Sequence, residues 1–312
     1  MNPPRKLVAI LGPTASGKSA LAVALAEKLN GEVVCCDSTQ VYRHFDIGTG
    51  KASAVEQKGI RHHLMDLVEP EQVFTAGDYR RVARDALEEI TARGKLPILT
   101  VGTGLYLRAL LEGLDDLPAR SEAIRERLRR RAEQKGSEHL HRILRRCDPA
   151  SASRIAPSDT HKIIRAIEVS LLAGKPASQL LGRGRDPLQG FAIIKIGLLP
   201  ARAKLYERID LRVGEMFAAG WVEEVRGILR SGVPPSAKAF TFIGYAQIRE
   251  HILHSMPLEP AVPEIRQATR RYAKRQITWF RRESNVHWLT GFGSEENIQA
   301  EGLKIISTAS AD

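Results

Sequence analysis

The stretch "GPTASGKS", Gly12 to Ser19, constrains this chain more than any other. It matches the phosphate-loop pattern G-x-x-x-x-G-K-[ST], which works only between a buried strand and a helix. Both neighbours are legible. "KLVAIL" before the loop is an apolar run of strand length. "KSALAVALAEKL" after it places Leu21, Leu25 and Leu29 at i, i+4 and i+8, one face of a helix. Loop amides and the helix N-terminus surround phosphate oxygens in such a motif. Lys18 adds a point charge and Ser19 a hydroxyl for Mg²⁺.

The following segments extend this start into an α/β fold. "EVVCCDS" and "LPILTV" read as two more strands. Between them, "AGDYRRVARDALEEITARGK" sets Tyr79, Val82, Ala83, Ala86 and Ile90 at helical spacing, with Gly94 as a stop. Strands alternating with helices imply a parallel sheet covered on both faces. From Arg120 to about Gly174 the chain is polar and helical with no clear strand. "FAIIKIGLL" then resumes the buried-strand pattern and stops at Pro200. The pattern predicts a P-loop parallel sheet flanked by helices, with an inserted all-helical subdomain: residues 1–114 and 190–312 form the core, 115–189 the insertion. Everything after Pro200 reads as helix. In the last long one, "EIRQATRRYAKRQITWFRRE", Arg266, Arg270 and Lys274 make one cationic stripe and Arg271 and Arg275 another, with Ile265, Tyr272 and Ile277 turned inward.

Composition narrows the setting. With 43% hydrophobic and 27% charged residues and no long apolar run, the 312-residue chain reads as soluble rather than membrane-spanning. The N-terminal apolar stretch runs into the loop instead of a small-residue cleavage site, so the expected location is cytoplasmic. Cys35, Cys36 and Cys147 offer no C-x-x-C pair, which excludes a disulfide framework and argues for buried, reduced thiols. A net charge of +11 points to a polyanionic partner, nucleic acid first, although an unspecialised basic surface has the same composition.

The loop alone does not say whose phosphates it holds. A nucleotide hydrolase needs a metal-anchoring acid at the end of a later strand. Here "PILTV" runs into Val101, Gly102, Thr103 and Gly104, with no carboxylate. The acid is Asp37, at the end of the second strand, and strand ends in such a sheet line one edge beside the loop. Asp37 can be a general base for a nucleophile attacking next to the phosphates. It can equally cap the turn in "CDSTQ". Thr103 is similarly open, as a turn hydroxyl or a partner to substrate.

"GPTASGKS", "DSTQVY" followed by "DIGTGK", "HHLMDLVEP", "GTGLYLRALLEGL", "YERIDLRVGEMFAAG", "IGY" and "AKRQITWFR" occur in that order from about residue 8 to 290. In this the chain resembles the tRNA dimethylallyltransferase family, also called tRNA isopentenyltransferases, in its bacterial form. The resemblance implies transfer of a dimethylallyl group from dimethylallyl diphosphate, assisted by Mg²⁺. The acceptor is the N6 amine of the adenine just 3′ of the anticodon, in tRNAs reading codons that begin with U. Gly12, Pro13, Thr14, Ala15, Ser16, Gly17, Lys18 and Ser19 would then clamp diphosphate rather than a nucleotide. Asp37 and Thr103 would be catalytic, and Ser19 the metal's hydroxyl. Arg212 is the expected further diphosphate ligand, with Arg208 the alternative.

By the same resemblance, the tRNA anticodon stem-loop would meet Asp37, Ser38, Thr39, Gln40 and Thr103, then Arg125, then His161, Lys162, Ile163, Ile164 and Arg165. Further contacts would come from Thr241, Phe242, Ile243, Gly244 and Tyr245. The last group is Lys274, Arg275, Gln276, Ile277, Thr278, Trp279, Phe280 and Arg281, with at least one of Trp279 and Phe280 packed in the core. The protein would act as a monomer without a membrane. Two positions depart from the family pattern. Val101 replaces the first of two glycines, which would slightly reshape the pocket, and Ala246 removes one possible RNA contact. Three rivals share parts of this evidence: a small-molecule kinase, an isopentenyltransferase acting on free adenylate, and a non-enzymatic RNA-binding protein.

Overall fold

The structure, a computed structural model, describes residues 4–309. It divides into two compact units, Met1–Leu111 with Leu188–Asp312, and Glu112–Pro187. The first contains β1 (Arg5–Leu11), α1 (Lys18–Leu29), β2 (Gly31–Cys36), α2 (Ala54–Gln57), β3 (His62–His63), α3 (Ala76–Ala92), β4 (Leu96–Val101) and α4 (Gly104–Leu111). The second contains α5 (Glu122–Lys135), α6 (Ser137–Cys147), α7 (Pro149–Arg154) and α8 (Thr160–Ala173). The first then resumes with β5 (Phe191–Leu198), α9 (Arg202–Ala218), α10 (Trp221–Arg230), α11 (Tyr245–His254), α12 (Ala261–Phe280), β6 (Val286–Leu289) and α13 (Glu296–Thr308).

The sheet runs β3-β2-β4-β1-β5-β6, and every pairing is parallel. Alternation along β1 distributes its side chains to two cores. Leu7, Ala9 and Leu11 join Leu87, Ile90 and Leu107 from α3 and α4. Val8 and Ile10 join Leu21, Leu25, Ile298 and Ile306 from α1 and α13. Truncating a fully buried residue such as Leu25 to Ala costs about 2–5 kcal/mol. Val101 ends β4 inside the first of these cores, so its side chain fills core volume.

Two expectations need correction. The region after Pro200 is not all helical: "VHWL" forms β6 at the sheet edge, four residues paired to β5, too short for a strand pattern to emerge. Of the three thiols, Cys35 and Cys36 are buried but Cys147 is exposed at the end of α6.

A third core lies beyond the strand ends, where α9–α11 and the loops after β2 meet around Tyr42, Phe45, Trp221, Phe240 and Tyr245. Trp221 explains two glycines: a Cβ on Gly48 or Gly244 would sit 2.2 or 1.9 Å from its ring. Glu224 completes this packing by accepting the amides of Asp46 and Ile47 and the Tyr245 hydroxyl.

The helical unit is built around Leu128, Leu140, Leu144, Ile163, Ile164 and Ile167. Its polar centre is Glu168, fully buried, which accepts from Arg125, Arg165 and the Ser121 amide. Among the described residues no helix is long and apolar enough to cross a membrane.

Candidate active site

β1 delivers the chain into the phosphate loop, and two left-handed residues shape it: Ala15 (φ 63°) and Gly17 (φ 86°). A side chain is strained at Gly17 by that conformation and by contact, since a Cβ there would lie 2.8 Å from Gly293 N. Gly293 N donates to the Ser16 carbonyl (2.9 Å), so the segment after β6 braces the loop from behind. The sequence reading missed that brace, although the glycine-dense "GFGS" signals a turn. Lys18 folds back, its Nζ donating to Pro13 O (2.9 Å). Burial pushes its pKa down to about 8, which Asp37 opposes and Arg212 reinforces.

In the sheet order, β4 lies between β2 and β1. Its end therefore separates Asp37 from the phosphate loop, at the place where a hydrolase would carry its acid. The residue there is Gly102, and a Cβ on it would stand 2.0 Å from Asp37 Oδ2. The missing side chain leaves room for the Asp37 carboxylate. The two oxygens of Asp37 stand in different surroundings. Its Oδ1 caps the turn, accepting from Thr39 N (2.8 Å) and Thr39 Oγ1 (2.7 Å). Oδ2 lies against Gly102 and accepts no hydrogen bond among the described residues, so it can receive a proton.

Thr103 joins the two strand ends. Its amide, with that of Gly102, donates to Cys36 O, and its hydroxyl accepts from Ser38 N (2.9 Å) and donates to Ser38 Oγ (3.1 Å). Gln40 ties the same turn to the "DIGTGK" loop: Cys35 Sγ donates to its Oε1, and its Nε2 donates to the carbonyls of Thr49 and Gly50.

The two candidate arginines of α9 separate. Arg212 reaches the Gly50 carbonyl (3.4 Å) and lines, with Ser19, Glu56, Ser294 and Gln299, a cavity of about 300 Å³ beside the loop. Burial lowers its pKa, as expected of a guanidinium withdrawn from water. Arg208 lies over the Phe292 ring and donates to Ser294 Oγ (3.2 Å). Of the two, Arg212 is the one that Lys18 senses and the one on the loop cavity.

Comparison with known proteins identifies the family. The model of the IPP transferase family matches residues 40–283. The chain belongs to the IPP transferase family. A tRNA dimethylallyltransferase of Solibacter usitatus is 52% identical over 298 residues, 95% of this chain and 96% of that protein. One of Geobacter metallireducens is 46% identical, over 94% and 95% of the two chains. The crystal structure of the full-length tRNA isopentenylpyrophosphate transferase of Bacillus halodurans superposes with a TM-score of 0.71 at 36% identity, covering 98% of this chain and 96% of that one. A eukaryotic dimethylallyltransferase acting on tRNA gives 0.76 at 25% identity, over 97% and 77%.

IPP transferase membership does not make every motif residue a surface contact. Ile163 and Ile164 are core residues of the helical unit, and Arg125 and Arg165 are bound to Glu168. Within that unit His161 and Lys162 are exposed. In the core unit, Thr241 is exposed and Phe242 and Ile243 are half-buried, but Gly244 and Tyr245 are buried against Trp221. On α12, Lys274, Arg275 and Thr278 are exposed, as is Arg281 just past its end, while Gln276 and Phe280 are buried and Ile277 and Trp279 are half-buried. The expected stripe of Arg266, Arg270 and Lys274 is corrected too. Arg270 is paired with Asp210 of α9 (2.6 Å) and Arg266 is half-buried, because that side of α12 packs on α9.

Proposed function

We propose that this IPP transferase moves a dimethylallyl group from dimethylallyl diphosphate to the N6 amine of an adenine in tRNA. The adenine is the one just 3′ of the anticodon, in tRNAs reading codons that begin with U. The observation that carries this reading is the free oxygen of Asp37, leaning over a glycine next to a phosphate loop. A base beside a phosphate cradle, with no metal-anchoring acid on the intervening strand, suits attack at a carbon bearing diphosphate better than phosphoryl transfer.

The adenine leaves its stack to reach the site. Its amine is a weak nucleophile because the lone pair is delocalised into the ring. The N–C bond forms at the allylic carbon as the C–O bond to diphosphate breaks, and the amine proton passes to Asp37 Oδ2. Lys18, the loop amides and Arg212 stabilise the charge that gathers on diphosphate. Ser19 lines the cavity with Arg212, and a hydroxyl plus phosphate oxygens is a donor set that suits Mg²⁺. Ser19 would hold the ion, whose charge offsets that of the leaving group. Lys274, Arg275 and Arg281, and within the helical unit Lys162, are the cations assigned to RNA phosphates, with His161 an exposed hydrogen-bonding neighbour. The reading goes with a monomeric cytoplasmic enzyme.

The test is incubation with labelled dimethylallyl diphosphate, Mg²⁺ and total tRNA. Label in one class of tRNA, on adenine, is expected. Label in free AMP and none in RNA would overturn the acceptor, and phosphoryl transfer from ATP would overturn the reaction class.

A further inference from the structure

Gln276 belongs to the run of α12 that family resemblance assigns to RNA, yet its amide points into the protein. Oε1 accepts the amide N–H of Thr14 in the phosphate loop (2.8 Å), and Nε2 donates to the carbonyl of Gly102 (2.8 Å). The two partners fix the amide's orientation, because one is a donor and the other an acceptor. Gly102 is the residue that makes room for Asp37 Oδ2. A single buried side chain thus spans the diphosphate half and the base half of the site.

The same helix touches the end of β4 twice more. The Tyr272 hydroxyl donates to Gly102 O (3.4 Å), and the Trp279 indole covers Gly104 so closely that a Cβ there would lie 2.1 Å from its Nε1. Lys274, Arg275 and Thr278, on the adjacent turns, are exposed. One face of α12 is therefore free for RNA, and the other holds the spacing between loop and base.

We infer that Gln276 is a positioning residue that couples the seating of α12 to the alignment of the phosphate loop with Asp37. The inference rests on the reading of the site given above. It follows from hydrogen-bonding capacity: a neutral amide both accepts and donates at this reach. Leucine does neither, and an ionised carboxylate only accepts. Without Gln276 the Thr14 N–H loses its side-chain partner and the Gly102 carbonyl keeps only the longer bond from Tyr272, which moves the loop or the β4 turn.

The experiment compares Gln276→Leu and Gln276→Glu with the wild-type enzyme, measuring kcat for transfer, KM for dimethylallyl diphosphate and the Kd for tRNA. Wild-type transfer activity tests the functional reading by itself, so failure of that reading shows before any variant is made. Gln276→Leu is expected to lower kcat by about tenfold or more, one lost buried hydrogen-bond partner's worth, with tRNA Kd within about threefold. Gln276→Glu supplies a signature that mere loss of packing does not. A carboxyl facing a carbonyl resists ionisation, and once protonated it donates as the amide does. Its rate relative to wild type should rise about tenfold as pH falls from about 9 to about 6. Lys18, Asp37 and Tyr272, the ionisable groups around this contact, are present in both proteins, so taking the ratio at each pH cancels what they share. A flat ratio, or a Gln276→Leu enzyme with normal kcat and weakened tRNA binding, overturns the inference. The second result would return Gln276 to a direct RNA contact. Should Gln276→Leu fail to fold, the pH ratio of Gln276→Glu decides alone.

Discussion

Asp37→Asn separates the observed turn-capping role of one carboxylate from the base role proposed for it. Asn keeps an oxygen at the Oδ1 position, where Thr39 N and Oγ1 bind at 2.8 and 2.7 Å, and its amide nitrogen occupies the volume of Oδ2 above Gly102. The turn therefore survives, weakened only by replacing charge-assisted bonds with neutral ones, about 1 kcal/mol. The proton acceptor does not survive. General base catalysis contributes about 10²–10⁴ in rate, so kcat should fall by that factor, about 3–5 kcal/mol in barrier. Asp37→Ala removes the cap as well and should cost about 0.5–2 kcal/mol of stability, with a rate loss no larger than that of Asn. The assay is single-turnover transfer from labelled dimethylallyl diphosphate to tRNA, with tRNA Kd and urea unfolding in parallel. Binding should stay within about threefold for both variants. An Asp37→Asn enzyme retaining a third or more of wild-type kcat would refute the base assignment, and capping would then be the whole role of Asp37.

Four further outcomes follow from the same geometry. Gly102→Ala puts a methyl 2.0 Å from Asp37 Oδ2 and should lower kcat by at least about tenfold while tRNA binding persists, as read by transfer rate and filter binding. Arg212→Ala should raise KM for the diphosphate donor about tenfold or more and Arg208→Ala by about threefold or less, since only Arg212 lines the loop cavity with Ser19; equal effects in a KM comparison would contradict that. Lys18 is charged below its native pKa of about 8, so calorimetric binding of inorganic diphosphate should weaken as pH rises through that value, and Lys18→Arg should remove the trend. Glu168 is the stability test. Burial would raise its pKa, but bonds from Arg125, Arg165 and Ser121 hold it below the ordinary carboxylate value. Its contribution is then present above about pH 4.3 and lost as pH falls through the lowered native value; Glu168→Gln should cost about 2–4 kcal/mol at pH 7 and flatten the acid limb of the unfolding curve.

What the sequence could and could not say follows from the range of each interaction. The loop and β1, β2, β4 and β5 were legible because a motif and an apolar run are local. β6 was not, because its place is set by pairing with β5 rather than by its own four residues. Asp37 presented two readings as rivals because one letter hides two oxygens, one bound within the turn and one lying against Gly102 without a hydrogen bond among the described residues. The absent acid on β4 was legible as an absence, but that the glycine there is required for Asp37 depends on the order of strands. The long basic helix shows the limit most clearly. Its periodicity put cations on stripes, yet whether a stripe meets water or α9 is decided by Asp210, sixty positions away from Arg270. Gln276 is bound to a residue 262 positions away, and nothing in the spacing of its own helix distinguishes it from the exposed Arg275 beside it. A run of residues carried over from a family motif therefore mixes two kinds of requirement. On α12, Lys274, Arg275 and Thr278 face water while Gln276 is buried and bound to Thr14 and Gly102, and burial is the observation that sorts them.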